Sequence, residues 1–138
     1  MISNYFLLEE LVPPTVFKER GSLAWELLDD RLIQTIDTIK KRFPLGTMTI
    51  NNWVWGGNRQ WSGLRTPEAI KYYSPFSQHA FGRAIDTIFS AYTTEEVRQY
   101  ILDNPLEFPH VKGVELGVGW LHIDCRNTVD TKVKVFHP

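Results

Sequence analysis

Ser77-Gln78-His79-Ala80-Phe81-Gly82-Arg83-Ala84-Ile85-Asp86 is the stretch on which the reading of this chain turns, and Trp120-Leu121-His122-Ile123-Asp124 answers it further along. An imidazole and a carboxylate seven residues apart, joined by an imidazole from a distant segment, are three ligands of the kinds zinc takes. They leave the fourth tetrahedral position to water. If residues 81–89 are extended, side chains alternate, so Gly82, Ala84 and Asp86 share one face and Arg83, Ile85 and Thr87 the other. With His79 in the turn before that strand, the missing bulk at Gly82 and Ala84 predicts close approach of a metal or substrate to the backbone. The same alternation puts Trp120, His122 and Asp124 on one face of a second strand and Leu121, Ile123 and Cys125 on the other. One face packs; the other points into a cleft. Each residue alone has an ordinary structural use, a histidine before a strand or an aspartate capping a turn, so the conjunction carries the reading.

Outward from these segments the chain reads as a scaffold of mixed elements. Over residues 22–43 the apolar residues Trp25, Leu28, Leu32, Ile36, Ile39 and Phe43 recur every three or four positions, which predicts one long helix with a core-facing stripe. Pro44 and Gly46 end it, and Lys40-Lys41-Arg42 places favourable charge at its C-terminus. Residues 47–55 are rich in β-branched and aromatic side chains and predict a strand, broken by Gly56-Gly57-Asn58. Trp53, Trp55 and Trp61 around that break either line a groove or cover the sheet edge. Residues 58–60 and 72–76 read as loops, the second marked by Pro75. Thr93-x-x-Glu96 is a capping box for a helix to about Leu102, with Val97 and Ile101 inward and Asn104-Pro105 closing it. Residues 111–116 and 118–125 predict paired strands separated by Gly117, and 129–136 a final one. Helices early and between strands predict an α+β fold: a small antiparallel sheet packed with helices, the metal site on its face.

Composition narrows the function classes. The 138 residues fit one domain, 1–138, and a chain of this length buries roughly two thirds of its unfolded surface without disulfides. Its single cysteine excludes an internal disulfide framework. A formal net charge of −1 gives no basic footprint for nucleic acid. No apolar run approaches a membrane span. Glu9 and Glu10 stand where a secretory leader needs an apolar core, so no signal peptide is expected. Alternation puts Cys125 on the apolar face, and no Gly-x-Ser-x-Gly element occurs, which disfavours a nucleophilic side chain. His110 follows a proline in a loop and His137 adjoins the last residue; both read as bystanders.

The pattern Ser-x-His-x-x-Gly-x-Ala-x-Asp at 77–86, with His-Ile-Asp at 122–124, resembles the M15 zinc peptidases, the group of D-Ala-D-Ala carboxypeptidases and L-alanyl-D-glutamate endopeptidases found in bacteria and phages. Ser62-Gly63-Leu64-Arg65-Thr66-Pro67 is similar to that family's upstream Ser-Gly-Tyr-Arg-Ser element, and Tyr5-Phe6-Leu7-Leu8-Glu9-Glu10-Leu11 to its opening. The resemblance implies a hedgehog/DD-peptidase-like fold and zinc held by His79, Asp86 and His122. It implies that Arg65, with Ser77 nearby, holds a substrate carbonyl or carboxylate, a role suited to a planar guanidinium that is always charged. The other reading of Arg65 is a solvated residue beside a helix start, with Thr66 as cap, Pro67 in the first position and Glu68 in the first turn. The partners implied are peptidoglycan stem peptides. The place of action is then the bacterial cell wall, reached from the cytoplasm after lysis or as part of a phage particle.

One departure bears on catalysis. Members of the family commonly carry an acidic general base three positions before the last zinc histidine, and here that position is Gly119. Two other carboxylates are candidates for catalysis. Asp124 lies on the strand face of His122, roughly 7 Å further along, and Glu115 could be returned to the site by a bend at Gly117 or Gly119. Asp124 has a rival role, orienting a ligand histidine from behind. The chemistry implied is amide hydrolysis: zinc polarises the carbonyl and activates water, a carboxylate carries the proton to the leaving amine, and Arg65 stabilises the oxyanion. A catalytically weak wall-binding or phage structural module with the same fold is the alternative, with Gly119 in its favour. A purely structural zinc site would normally be closed by four ligands. Other divalent metals compete for such ligands, and loop shape decides between a closed carboxypeptidase end and an open endopeptidase groove.

Overall fold

Asp29 decides where the long helix of the sequence pattern begins. In the computed structural model, which describes residues 1–69 and 74–138, α1 spans Pro14–Arg20 and is followed by a 3₁₀ stretch, Gly21–Leu27, and then α2, Asp30–Arg42. The single helix expected over 22–43 is therefore two elements. Leu28 between them is extended (φ −105°, ψ 134°), and the Asp29 carboxylate accepts the Arg31 N–H at 2.9 Å. That local side-chain bond offers the backbone an alternative to continuing the helix, and it overrides the apolar period. The stripe itself is core: Leu28, Leu32, Ile36 and Ile39 are buried, with Trp25 and Phe43 packed against them. Lys40 to Arg42 form the last turn of α2, where Lys40 Nζ donates to the carbonyls of Pro44 and Gly46.

The strand expected over 47–55 shrinks to β1, Met48–Thr49, with Trp53–Trp55 in a 3₁₀ turn. Two asparagines redirect the chain there. Asn51 donates to Val12 O and accepts the Ser62 N–H, while Asn52 accepts the Arg59 N–H. Trp53 packs on Phe17 and donates its indole N–H to Val12 O, so it covers core rather than lining a groove. Beyond Arg65, Pro67–Ala69 form a turn closed by Ala69 N–H on Thr66 O. Of the helix alternative opening at Thr66 to Glu68, the described residues show a turn, and residues 70–73, which include Tyr72 and Tyr73 of the 72–76 loop, lie outside the described residues.

Four further strands complete a sheet of order β1-β2-β4-β3-β5: β2 is Ala84–Phe89, β3 Gly113–Glu115, β4 Leu121–Asp124 and β5 Lys134–Phe136. The expectation of a wholly antiparallel sheet is corrected. β3 pairs antiparallel with β4 and parallel with β5. The chain leaving β4 passes over its neighbour to the outer edge of β3, and a strand that reverses β4 while lying beside β3 must run with β3. α3, Thr94–Asp103, starts at the capping box, with Thr93 Oγ1 accepting Glu96 N–H and Glu96 Oε1 accepting Thr93 N–H. Val97 and Ile101 point inward, as their spacing predicts. One hydrophobic cluster joins Leu32, Ile36 and Ile39 to Ile85, Val97, Leu121 and Ile123. The fold is α+β, and among the described residues no helix is long and apolar enough to cross a membrane.

Candidate metal centre

β2 and β4 pair so that Asp86 stands opposite His122 and Ala84 opposite Asp124. Because side chains alternate, burying Ile85, Leu121 and Ile123 on the core side forces Asp86, His122 and Asp124 to the other face. His79 arrives from the 3₁₀ turn Gln78–Phe81 that precedes β2. Ser77 caps that turn, accepting the His79 N–H at 3.3 Å. Gly82 ends it in the left-handed region at φ 67°. A side chain at Gly82 would collide with the carbonyl of Leu27. The smallness of Gly82 therefore serves close packing against the 3₁₀ stretch, not the approach of a ligand.

The three expected ligands converge. One nitrogen of His79, one oxygen of Asp86 and one nitrogen of His122 all lie within 4.8 Å of one another, so the trio could hold a metal ion. Asp86 Oδ1 is 3.3 Å from His79 Nε2 and 2.8 Å from His122 Nδ1. Each imidazole is fixed from behind. His79 Nδ1 lies 2.9 Å from Gly63 O; a carbonyl only accepts, so Nδ1 carries the proton and Nε2 offers its lone pair to the site. His122 Nε2 lies 3.1 Å from Asp124 Oδ2, which leaves Nδ1 facing Asp86. The donor set fits a divalent ion: two histidine nitrogens, one carboxylate and an outer hydrogen-bond acceptor behind each ring.

Titration follows from burial and partners. Burial pulls the His79 imidazole below its ordinary value despite the Asp86 carboxylate beside it, which favours the neutral, ligating form. Burial alone would raise Asp86, but the hydrogen bond from His122 and the neighbouring His79 imidazole hold it far below the usual carboxylate range. Burial opposes charge on His122 too, yet its bonds to Asp124 and Asp86 lift it to about 9.

Arg65 Nη2 donates to Asp86 Oδ2 at 3.1 Å and its Nε to Trp61 O at 2.7 Å. It therefore anchors the outer oxygen of the carboxylate that faces both imidazoles while lining the cavity. Asp124 is fully buried, and its two oxygens are taken by His122 Nε2, by Arg126 Nε and Nη2 at 2.7 and 2.6 Å, and by the Arg126 N–H. Burial would raise its carboxyl, but Arg126 and His122 bring it down to about 2. The Arg126 guanidinium also lies over the Phe136 ring, 5.1 Å from its centroid.

A cavity of about 360 Å³ covers the trio, with Arg65, Ser77, Glu115 and Trp120 among its walls. All seven residues singled out from the sequence, His79, Asp86, His122, Arg65, Ser77, Glu115 and Asp124, line it. Gly119 lies on the β3–β4 loop, and a side chain built there would meet nothing within 4 Å. Arg98, buried on α3, donates to Val118 O and Trp120 O, and Thr94 Oγ1 donates to Gly119 O.

Sequence reasoning missed four supports. Arg126 had a local signal, because it follows Asp124 at the two-residue spacing of one strand face. Arg98, Gly63 O and Gly113 had none. A Cβ at Gly113 would collide with both carboxylate oxygens of Asp124, its partner across the β3–β4 ladder. No family model, no curated protein and no solved structure matches the chain.

Proposed function

We propose that this chain is a zinc-dependent peptidase hydrolysing amide bonds of peptidoglycan stem peptides, with the hedgehog/DD-peptidase-like arrangement its motifs resemble. The observation that carries the reading is the convergence of His79, Asp86 and His122 in a cavity, each histidine turned by a separate acceptor so that one nitrogen faces the carboxylate. Three ligands of this kind with an open side are the pattern of hydrolytic rather than structural zinc. When bound, zinc supplies a Lewis acid for the scissile carbonyl and lowers the pKa of water.

The chain's own residues divide the remaining work. Arg65 holds Asp86 in place and lines the cavity, where its positive charge favours charge developing on a substrate oxygen. Glu115, half-buried in the cavity wall, is the carboxylate placed to take a proton from water and deliver it to the leaving amine. Asp124, saturated by Arg126 and His122, orients His122. Ser77 holds the His79 turn and presents its side chain beside it. Action at the cell wall, after lysis or from a phage particle, follows from the substrate.

The test is digestion of purified peptidoglycan by the zinc-loaded protein, by the same protein after chelation and zinc return, and by His122→Ala, with mass spectrometry of the released fragments. Zinc-dependent release of stem-peptide fragments is the expected result. Bound zinc and a folded chain without release would overturn it and favour the second reading, a wall-binding or phage structural module, which the bare Gly119 position supports.

A further inference from the structure

Arg65, Asp86 and Trp120 line two cavities, not one. On one side lies the space over Glu115 and Arg126, about 360 Å³; on the other lies a second cavity of about 250 Å³ walled by Asn58, Gln60, Trp61 and Ser62. The metal-facing aspartate thus stands at the junction of two recesses. The first lies near the lower end of the roughly 300–1,000 Å³ of ligand clefts and the second just below it, the size of a subsite rather than of a whole cleft.

The second wall is preformed. Arg59 donates its Nε to Ile50 O, and its backbone exchanges bonds with Asn52. Ser62 N–H is held by Asn51 Oδ1, and Ser62 O accepts the Asp86 N–H at 2.8 Å. The segment carrying Trp61 is therefore fixed directly to the strand that carries Asp86. Trp120, 40 % exposed, stands between the two cavities on a loop whose carbonyls are held by Arg98 and Thr94. Two indoles beside amide side chains give flat apolar faces with hydrogen-bonding groups at their rims, which suits peptide groups and small side chains; of the charged groups in the lining, Arg59 is tied by its Nε to Ile50 O and Arg65 is paired with Asp86.

We infer that the recess walled by Trp61 and Trp120 is a second substrate subsite, and that the cleft takes peptide on both sides of the reacting bond, making this chain an endopeptidase rather than a carboxypeptidase. The inference rests on the peptidase reading above and deepens it. A terminal-residue enzyme needs one end of the cleft to stop at the reacting bond and a cation committed to the free carboxylate. Here Asp86 borders two recesses rather than one blind end, and the arginine shared by both is already engaged by Asp86 Oδ2.

The experiment uses the zinc-loaded full chain and the stem pentapeptide L-Ala-D-γ-Glu-L-Lys-D-Ala-D-Ala, free, N-acetylated and C-amidated. Mass spectrometry locates the bond, and peptides shortened from either end follow. Expected are cleavage of a bond with residues retained on both sides, a change under about threefold on C-amidation, and a fall of about tenfold or more in kcat/KM on shortening either side. Trp61→Ala should lower kcat/KM about fivefold or more on the full peptide and leave unchanged the peptide shortened on the side that Trp61 contacts; Trp61→Phe should retain most of the rate and shows that the wall still folds. Removal of the terminal residue alone, abolished by amidation, overturns the inference. So does a Trp61→Ala effect seen only with glycan-bearing fragments, which would assign the recess to sugar. If no peptide is cut, the hydrolase reading fails by itself. The groove is then judged by titrating the zinc-loaded protein with the pentapeptide and following the indole N–H signals by NMR. Movement of both Trp61 and Trp120 sustains the groove; movement of one or neither removes it.

Discussion

Asp124→Asn separates two roles for one carboxylate. In the native chain its oxygens accept from His122 Nε2 and from three Arg126 donors. An amide of the same shape keeps one oxygen and turns an NH2 group toward either Arg126 or His122, donor against donor. His122 is then less firmly held with Nδ1 toward Asp86. Loss of such an outer partner typically costs 10–100-fold in metal affinity, about 1.4–2.7 kcal/mol. Stability changes as well. The carboxyl drops from an ordinary 3.8 to about 2, which at ~1.36 kcal/mol per unit contributes about 2 kcal/mol to folding at neutral pH. Because the folded value is the lower one, this contribution is present above about pH 4 and is lost as pH falls toward 2. Zinc competition against a chromophoric chelator, with urea unfolding of the metal-free protein from pH 7 to 2.5, reads both effects. We expect zinc to bind about 10–100-fold more weakly and the acid limb of stability to flatten between pH 4 and 2. Unchanged zinc affinity with activity lost would make Asp124 a proton-transfer group and refute its positioning role.

Three further outcomes are expected. Glu115→Gln should lower kcat by about 10²–10⁴ with zinc affinity intact; Gly119→Glu, entering open space, should fold normally and restore at least about tenfold in the Glu115→Gln background, both read by stem-peptide hydrolysis. Arg98→Ala strips charged donors from the carbonyls of Val118 and Trp120 and should cost about 2–4 kcal/mol in urea unfolding. Since His122 stays protonated to about pH 9 in the metal-free chain and must lose a proton to ligate, zinc binding at pH 7.5 should release about one proton, the release vanishing above pH 9, as calorimetry in buffers of different ionisation enthalpy would show.

The grouping of His79, Asp86 and His122 as a set that could hold a metal was legible because its information is local. A strand period of two puts Asp86 on one face, His-x-Asp puts His122 and Asp124 on another, and an apolar counter-face says which side is buried. Register was not legible. Nothing in the sequence states that Asp86 meets His122 across β2 and β4, or that Gly113 meets Asp124 across β3 and β4, since pairing partners are fixed by the whole sheet. The long helix failed for a related reason. Apolar spacing from Trp25 to Phe43 reports one buried side but not whether one rod carries it, and the capping carboxylate of Asp29 inside that run was the overlooked break. Residues 47–55 failed because β-propensity mostly measures fit to a half-buried surface, while Asn51 and Asn52 bond their neighbours and bend the chain.

Where the fold spends its polar groups bears on the choice between an enzyme and an inert module. The trio needs β2, β4 and the His79 turn, and these are secured by the β2–β4 ladder, the Ser77 cap and the Ser62, Gly63, Asp124 and Arg65 contacts. A chain that only kept zinc for stability would need the loop between β3 and β4 as a connection and nothing more. Yet three consecutive carbonyls of that loop, those of Val118, Gly119 and Trp120, are held from α3 by a buried arginine and a threonine. Taking a guanidinium out of water to fix an exposed turn is costly, the more so because the Arg98 Nε is buried with no hydrogen-bond partner among the described residues. What the turn positions is Trp120, the wall shared by both cavities, and the bare Gly119 position. The rigidity lies at the lip of the cleft, where an extended substrate would be gripped, and it supports turnover on peptide over passive retention of the fold.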